Sequence, residues 1–194
     1  MRWYLRFPDG RPKALTLSYD DGVTQDARLM KTLVQYSLKC TFNLNSGLFY
    51  PEDGQNLTPL HPHRMTEART AALFRGCGHE VAVHGVDHSC LEQLPVSEAM
   101  PQILEDQRRL EGLFGGIIHG MAYPFGAYSD AICQGLPLLG ISYARTAQHT
   151  VRFDLPTVSY RWHPTCHHDD PRLSDLTAEF LDAHTRWGPQ LFFR

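Results

Sequence analysis

The sequence predicts an α/β fold whose parallel strands form a barrel-like arrangement, and three observations predict it. Short β-rich runs alternate with helical patterns along the chain, the order that parallel strands with crossover helices require. The polar, chemically able residues Asp20-Asp21, Asn45-Ser46, His84, Tyr123-Pro124, Arg145-Thr146 and His163 all fall at carboxyl ends of those runs. Five or six strands feeding one rim fit a barrel better than a doubly wound sheet with a single switch-point crevice.

The elements are justified in order. "ALTLSYD" (Ala14 to Asp20) alternates as a strand should, after a turn at Pro8-Asp9-Gly10 that would pair it with "RWYLRF". Thr24 would cap a helix with Leu29, Met30, Leu33 and Val34 on one face. "CTFNLN" reads as the second strand, and residues 46 to 63, rich in Gly, Pro, Asn and His, as a long loop. A helix near Thr66 to Arg75 leads through Gly76 and Gly78 into a third strand, "EVAVH". Ser97 would cap the next helix, with Ile103, Leu104, Leu110, Leu113 and Phe114 toward the core and Gly115-Gly116 as its stop.

"HGMAYPF", "ISYART" and "TVSYRWH" complete the strand pattern, with a helix from about Ser129 to Leu139 among them. Asp170-Pro171 opens a helix carrying Leu173, Leu176, Phe180 and Leu181, and "QLFFR" adds a last β-rich run.

With 194 residues and 42% hydrophobic side chains, the chain suffices for one well-cored domain, 1–194. Its 18 basic and 21 acidic residues form no Lys/Arg run, which excludes an electrostatic footprint for nucleic acid or an anionic membrane. The amino-terminal segment has no continuous apolar stretch or small-residue cleavage site, and the five cysteines form no CxxC pair. A reducing cytoplasm is the expected location, and no membrane span is expected.

"GHEVAVHGVDH" places His84 and His88 four apart behind an apolar run. The HExxH reading fails, because no glutamate follows His84. A strand-end reading has His84 closing the strand, Gly85 permitting the bend and His88 returning to the rim; the alternative is two ordinary loop histidines. "SYDDG" sets two carboxylates at another strand end, costly neighbours unless a cation or hydrogen bonds separate their tasks, though a plain Asp-Gly turn explains the same letters.

"LTLSYDDG" resembles the TFDDG motif of the NodB-like polysaccharide deacetylases (carbohydrate esterase family four), and "GHEVAVHGVDH" their GHExxxHxxxH motif. "MAYPFG" resembles a variant of their RxPYG motif, and the three occur in family order. The resemblance implies a distorted (β/α)7 barrel-like NodB fold. It makes Asp21, His84 and His88 the ligands of a divalent metal, most often zinc in the family, and Asp20 the general base. It assigns the oxyanion to the metal and the backbone N–H of Phe125.

Two departures follow. The arginine of the third motif is Ala122, so another donor must hold Asp20. The family's last strand delivers a histidine as general acid, whereas "QLFFR" stops at Arg194; the last strand reads as incomplete and the chain as truncated at its carboxyl end. "RWHPTCHHDD" offers His163 or His168 as the donor instead, against local packing of these histidines or a separate Cys/His metal site. His61 and His63, in the long loop, could roof the groove.

The leading expectation is therefore a metal-dependent hydrolase that deacetylates an N-acetylated sugar or related amide. One alternative is a metal- and sugar-binding protein with little or no catalysis; another is a hydrolase of small non-sugar amides. An open barrel edge would favour pairing with a second copy of the chain.

Overall fold

In the computed structural model, which describes residues 6–52, 63–182 and 190–193, the parallel strands follow one another across the sheet in chain order. These are β2 (Ser18–Asp20), β3 (Thr41–Leu44), β4 (Glu80–Val83), β5 (Gly120–Ala122) and β6 (Tyr143–Arg145). After each comes a helix: α1 (Asp26–Gln35), α2 (Glu67–Phe74), α3 (Val96–Phe114), α4 (Asp130–Gly135) and α5 (Leu173–Asp182). A second, two-stranded parallel sheet pairs β1 (Lys13–Thr16) with β7 (Gln190–Phe193). Chain-order neighbours with no switch point mark a barrel plan, and the five strands curl into a half-barrel with incomplete closure, in keeping with the barrel-like fold that the motif resemblance implies.

The curl is visible in the side chains. β2 and β6 are opposite edges of the five-stranded sheet, yet Arg145 Nε donates to Ser18 Oγ at 3.0 Å and its Nη2 bonds Asp20. Only a rolled sheet brings them together.

Strand periodicity divides the two faces. Leu17, Phe42, Leu44, Val83, Met121 and Ala144 belong to the main buried cluster, with Met30, Leu33, Ile103, Leu110 and Ile132 from the helices. The intervening residues make a polar interior. Glu80 Oε2 accepts from the hydroxyls of Thr41 (2.6 Å) and Tyr143 (2.7 Å), and Asn43 Nδ2 donates to Ser18 Oγ (2.8 Å). Gly120 is required here, since a Cβ would overlap the Tyr143 phenol. A smaller cluster of Phe153, Cys166, Leu176, Phe180 and Phe192 packs between α5 and β7.

The sequence reading differs from this structure in several places. "ALTLSYD" is broken at Leu17, where the chain changes partners: β1 pairs with β7 and β2 with β3. Of the expected hairpin, the described residues hold the Pro8–Gly10 turn and a single antiparallel Phe7↔Arg11 bridge. Neither Thr24 nor Ser97 caps its helix. The Asp26 carboxylate accepts the Val23 N–H at 3.0 Å instead, and Pro95 precedes α3. Val34 and Leu181 are exposed, 66% and 72%, because the buried faces of α1 and α5 turn past them. "TVSYRWH" bonds to β6 through Ala144 N–H, Trp162 N–H and Thr146 N–H, but a turn closed from Arg161 N–H to Val158 O keeps it from forming a strand. Among the described residues, no helix is long and apolar enough to cross a membrane.

Candidate metal centre

Parallel strands deliver their carboxyl ends to one rim, and there the chain departs from regular structure. Among the described residues, six other than glycine have left-handed φ, and three stand here: Asp21 (+86°), His88 (+59°) and Phe125 (+60°). Such conformations cost on the order of 1–3 kcal/mol each and gather where geometry serves function.

His84 follows β4 and is 1% exposed. Its Nδ1 lies 2.8 Å from Ala122 O; a carbonyl only accepts, so Nδ1 carries the proton and Nε2 turns its lone pair into the rim. Nε2 of His84 is 3.9 Å from Asp21 Oδ1, and Nε2 of His88 is 3.8 Å from the same oxygen. Two ligands each about 2.1 Å from one ion are at most about 4.2 Å apart, a limit that both Asp21–histidine pairs meet, and all three donor atoms lie within 4.8 Å of one another, a group that could hold a divalent cation. Burial first, then the neighbouring His84, lowers the pKa of His88 and favours the neutral imidazole that ligation needs. Among the described residues, this trio is the group of His, Cys, Asp and Glu whose donor atoms converge.

Asp20 stands beside it. Its oxygens accept from Arg145 Nη2, at 2.5 Å for Oδ2, and from Asn43 Nδ2 at 2.8 Å. Burial pushes its pKa up, but His84, the Arg145 guanidinium and the bonds from Arg145 and Asn43 outweigh this and hold it below the ordinary carboxylate range. Arg145 is the register partner of Ala122, so the donor missing from the third motif comes from the adjacent strand.

Behind the trio, Asp106 of α3 is fully buried and accepts the backbone N–H of Ser46 (2.7 Å) and of His84 (3.0 Å). Asn45 Nδ2 donates to the carbonyls of His84 (2.6 Å) and Gly85 (2.8 Å), while its Oδ1 accepts from Arg64 (2.7 Å). Arg64, 8% exposed, also donates to Asp21 Oδ1 at 2.8 Å and to the Asp21 carbonyl.

The sequence reading missed the roles of Arg145, Asp106 and Arg64. Register between "MAYPFG" and "ISYART" could have found Arg145, and a charge between apolar positions on α3 could have found Asp106. No local signal marks Arg64.

The sequence profile of the polysaccharide deacetylases matches residues 8–144, most of the chain. This chain belongs to the polysaccharide deacetylase family. Three solved structures of its fold are similar. Streptococcus pyogenes deacetylase PplD in complex with acetate is 21% identical, with a TM-score of 0.62 over 74% of this chain and 59% of that one. A polysaccharide deacetylase from Bacillus cereus is 15% identical, with a TM-score of 0.66 over 85% and 50%. A mutant family-four pseudoenzyme with restored enzymatic activity is 18% identical, with a TM-score of 0.53 over 73% and 46%. The chain thus spans about half the length of these structures. Among curated proteins, none matches it.

Within this family member, Phe125 follows Pro124, and its ring meets the His88 ring edge-on at 4.6 Å. The backbone assigned to the oxyanion is therefore adjacent to the trio, and the phenyl group, 68% exposed, forms part of the rim. The two acid candidates separate. His168 lines a cleft of about 310 Å³ with Asp20, Asp21, Arg145, His149 and His167, and its ring stacks on Tyr19 at 5.9 Å. His163 bonds Thr146 Oγ1 at 2.6 Å and lines a different cleft with Tyr128 and Arg161. His63 is exposed, its carbonyl accepting from Thr24 N–H at 2.7 Å, and His61 lies outside the described residues.

Proposed function

We propose that this protein is a hydrolase that removes the acetyl group from an N-acetylated carbohydrate, using a divalent metal ion, zinc by family preference, at Asp21, His84 and His88. The observation that carries this reading is the convergence of Asp21 Oδ1 with both histidine Nε2 atoms beside an Asp20 whose two carboxylate oxygens Arg145 bonds. A bound ion would polarise the acetamide carbonyl and acidify a water molecule. Asp20, anchored by Arg145 and Asn43, takes the proton from the water whose oxygen bonds to the acetyl carbon. The Phe125 N–H donates to the carbonyl oxygen as negative charge develops. The C–N bond breaks as His168 gives a proton to the departing amine. His168 is preferred over His163 because it shares the cleft of Asp20 and Asp21.

The cleft presents the hydroxyls of Ser18 and Tyr19 and the ionisable side chains of Asp20, Asp21, Arg145, His149, His167 and His168, groups that can hydrogen-bond a hydroxyl-rich ligand. The alternative of binding without turnover had two grounds, the absent arginine and the absent acid, and Arg145 answers the first.

The deciding test is acetate release from N-acetylated oligosaccharides by zinc-loaded protein, beside Asp20→Asn. Release by the wild type and its loss in the variant is expected. Equal release from both would overturn the role of Asp20, and faster release from small non-sugar amides would transfer the activity to that substrate class. Glycan and metal binding without acetate would favour the non-catalytic reading.

A further inference from the structure

Each of the two carboxylates at the rim already has its own guanidinium: Asp20 has Arg145, and Asp21 has Arg64. The four charges cancel. Arg64 is placed with care. Residues 63–65 lie antiparallel along the Asp-Gly turn, through a Val23↔Arg64 bridge and bonds from Met65 N–H to Gly22 O (3.1 Å) and Thr24 N–H to His63 O (2.7 Å). The side chain is only 6% exposed. Its guanidinium spans Asp21 Oδ1, Asp21 O and Asn45 Oδ1, and Asn45 in turn grips the carbonyls of His84 and Gly85. Arg64 thereby touches the same carboxylate oxygen that faces the two histidines.

A cation arriving between neutral imidazoles and one carboxylate is ordinarily attracted by the carboxylate's unshared charge. Here that charge is already opposed by a guanidinium that is 6% exposed and at hydrogen-bond distance, although the Asp21 side chain is 38% exposed and water screens part of the attraction. We propose that Arg64 is a positioning residue that fixes Asp21 toward the histidines and counterweights its charge, so that the centre holds its metal loosely and keeps it strongly electrophilic. This rests on the reading of Asp21, His84 and His88 as metal ligands. A purely orienting partner has the opposite signature, because losing one weakens metal binding by roughly 10–100-fold.

The test is the zinc dissociation constant, measured by competition with a chromophoric chelator, for wild type, Arg64→Gln and Arg64→Lys. Glutamine keeps an N–H donor for Asn45 or Asp21 but removes the charge; lysine keeps the charge but loses the planar fork. Arg64→Gln should bind zinc at least roughly tenfold more tightly than wild type, and Arg64→Lys within about threefold of it. Unchanged or weaker binding by Arg64→Gln overturns the inference and leaves the metal centre intact. If Arg64→Gln does not fold, Arg64→Lys decides: wild-type affinity upholds the charge role, and a tenfold loss assigns Arg64 to orientation alone. A wild-type protein that takes up no zinc overturns the metal-centre reading, and this inference with it.

Discussion

Ala122 and Arg145 are register partners across β5 and β6, and the guanidinium that the family's third motif would place on the first is supplied by the second, bonded to both oxygens of Asp20. Partners in a parallel pair project on the same face, so one ion pair can be built from either strand.

That relationship predicts a rescue. Arg145→Ala should lower acetate release by roughly 10²-fold, within the range that a positioned acid or base contributes, because Asp20 loses the guanidinium that bonds both its oxygens. Adding Ala122→Arg should recover part of the loss. Steady-state kcat for the three proteins checks it, and full activity in Arg145→Ala would refute the role.

Metal uptake separates the two adjacent aspartates. Asp21→Ala removes a ligand and should weaken zinc binding more than roughly 100-fold, beyond what loss of an outer partner costs. Asp20→Asn should retain zinc and lose turnover. Elemental analysis beside an acetate assay distinguishes them; two variants with the same metal content would mean that the roles are misassigned. Chelation of the wild type should abolish activity, and zinc should restore it.

Much of the architecture was legible because it is periodic. The alternation of "CTFNLN" and "EVAVH" fixed both which face is buried and which polar residues reach the rim. The family motifs, in turn, named the trio that the fold brings together. What could not be read depends on pairing at a distance. Leu17 interrupts a pattern that alternates without a flaw, because its neighbours bond to strands far apart in sequence. Arg145 and Asp20 are similarly 125 positions apart, and Arg64 meets Asp21 from an irregular loop with no period to reveal it.

The histidines of "RWHPTCHHDD" are distinguishable by placement. His168→Asn should lower kcat by roughly 10²-fold with zinc retained, while His163→Asn, in the other cleft, should stay within a few-fold of wild type. Comparable loss in both variants, accompanied by a lowered melting temperature, would reduce the two to packing residues.

Asp26 couples stability to pH. It is 4% exposed, and burial pushes its carboxyl up to about 7, assisted by Asp21 and Asp20 and opposed by the Val23 N–H bond and Arg64. The unfolded chain releases this proton near 3.8. Between those values the folded chain keeps a proton that the unfolded chain has lost, so rising pH favours unfolding. The stability contributed is complete below about 3.8 and lost as pH rises through about 7, and the shift corresponds to roughly 4 kcal/mol. In Asp26→Asn the side chain titrates at no pH, and its carbonyl can still accept the Val23 N–H. Urea unfolding of chelator-treated protein at pH 5 and pH 8 should therefore show a larger fall for wild type than for the variant, by a few kcal/mol at most. Because Asp106, pushed up to about 6 by burial, titrates alike in both proteins, the difference between them isolates Asp26. Parallel pH dependence in the two would mean that Asp26 is ionised in the fold, its charge held by Arg64 and the Val23 N–H.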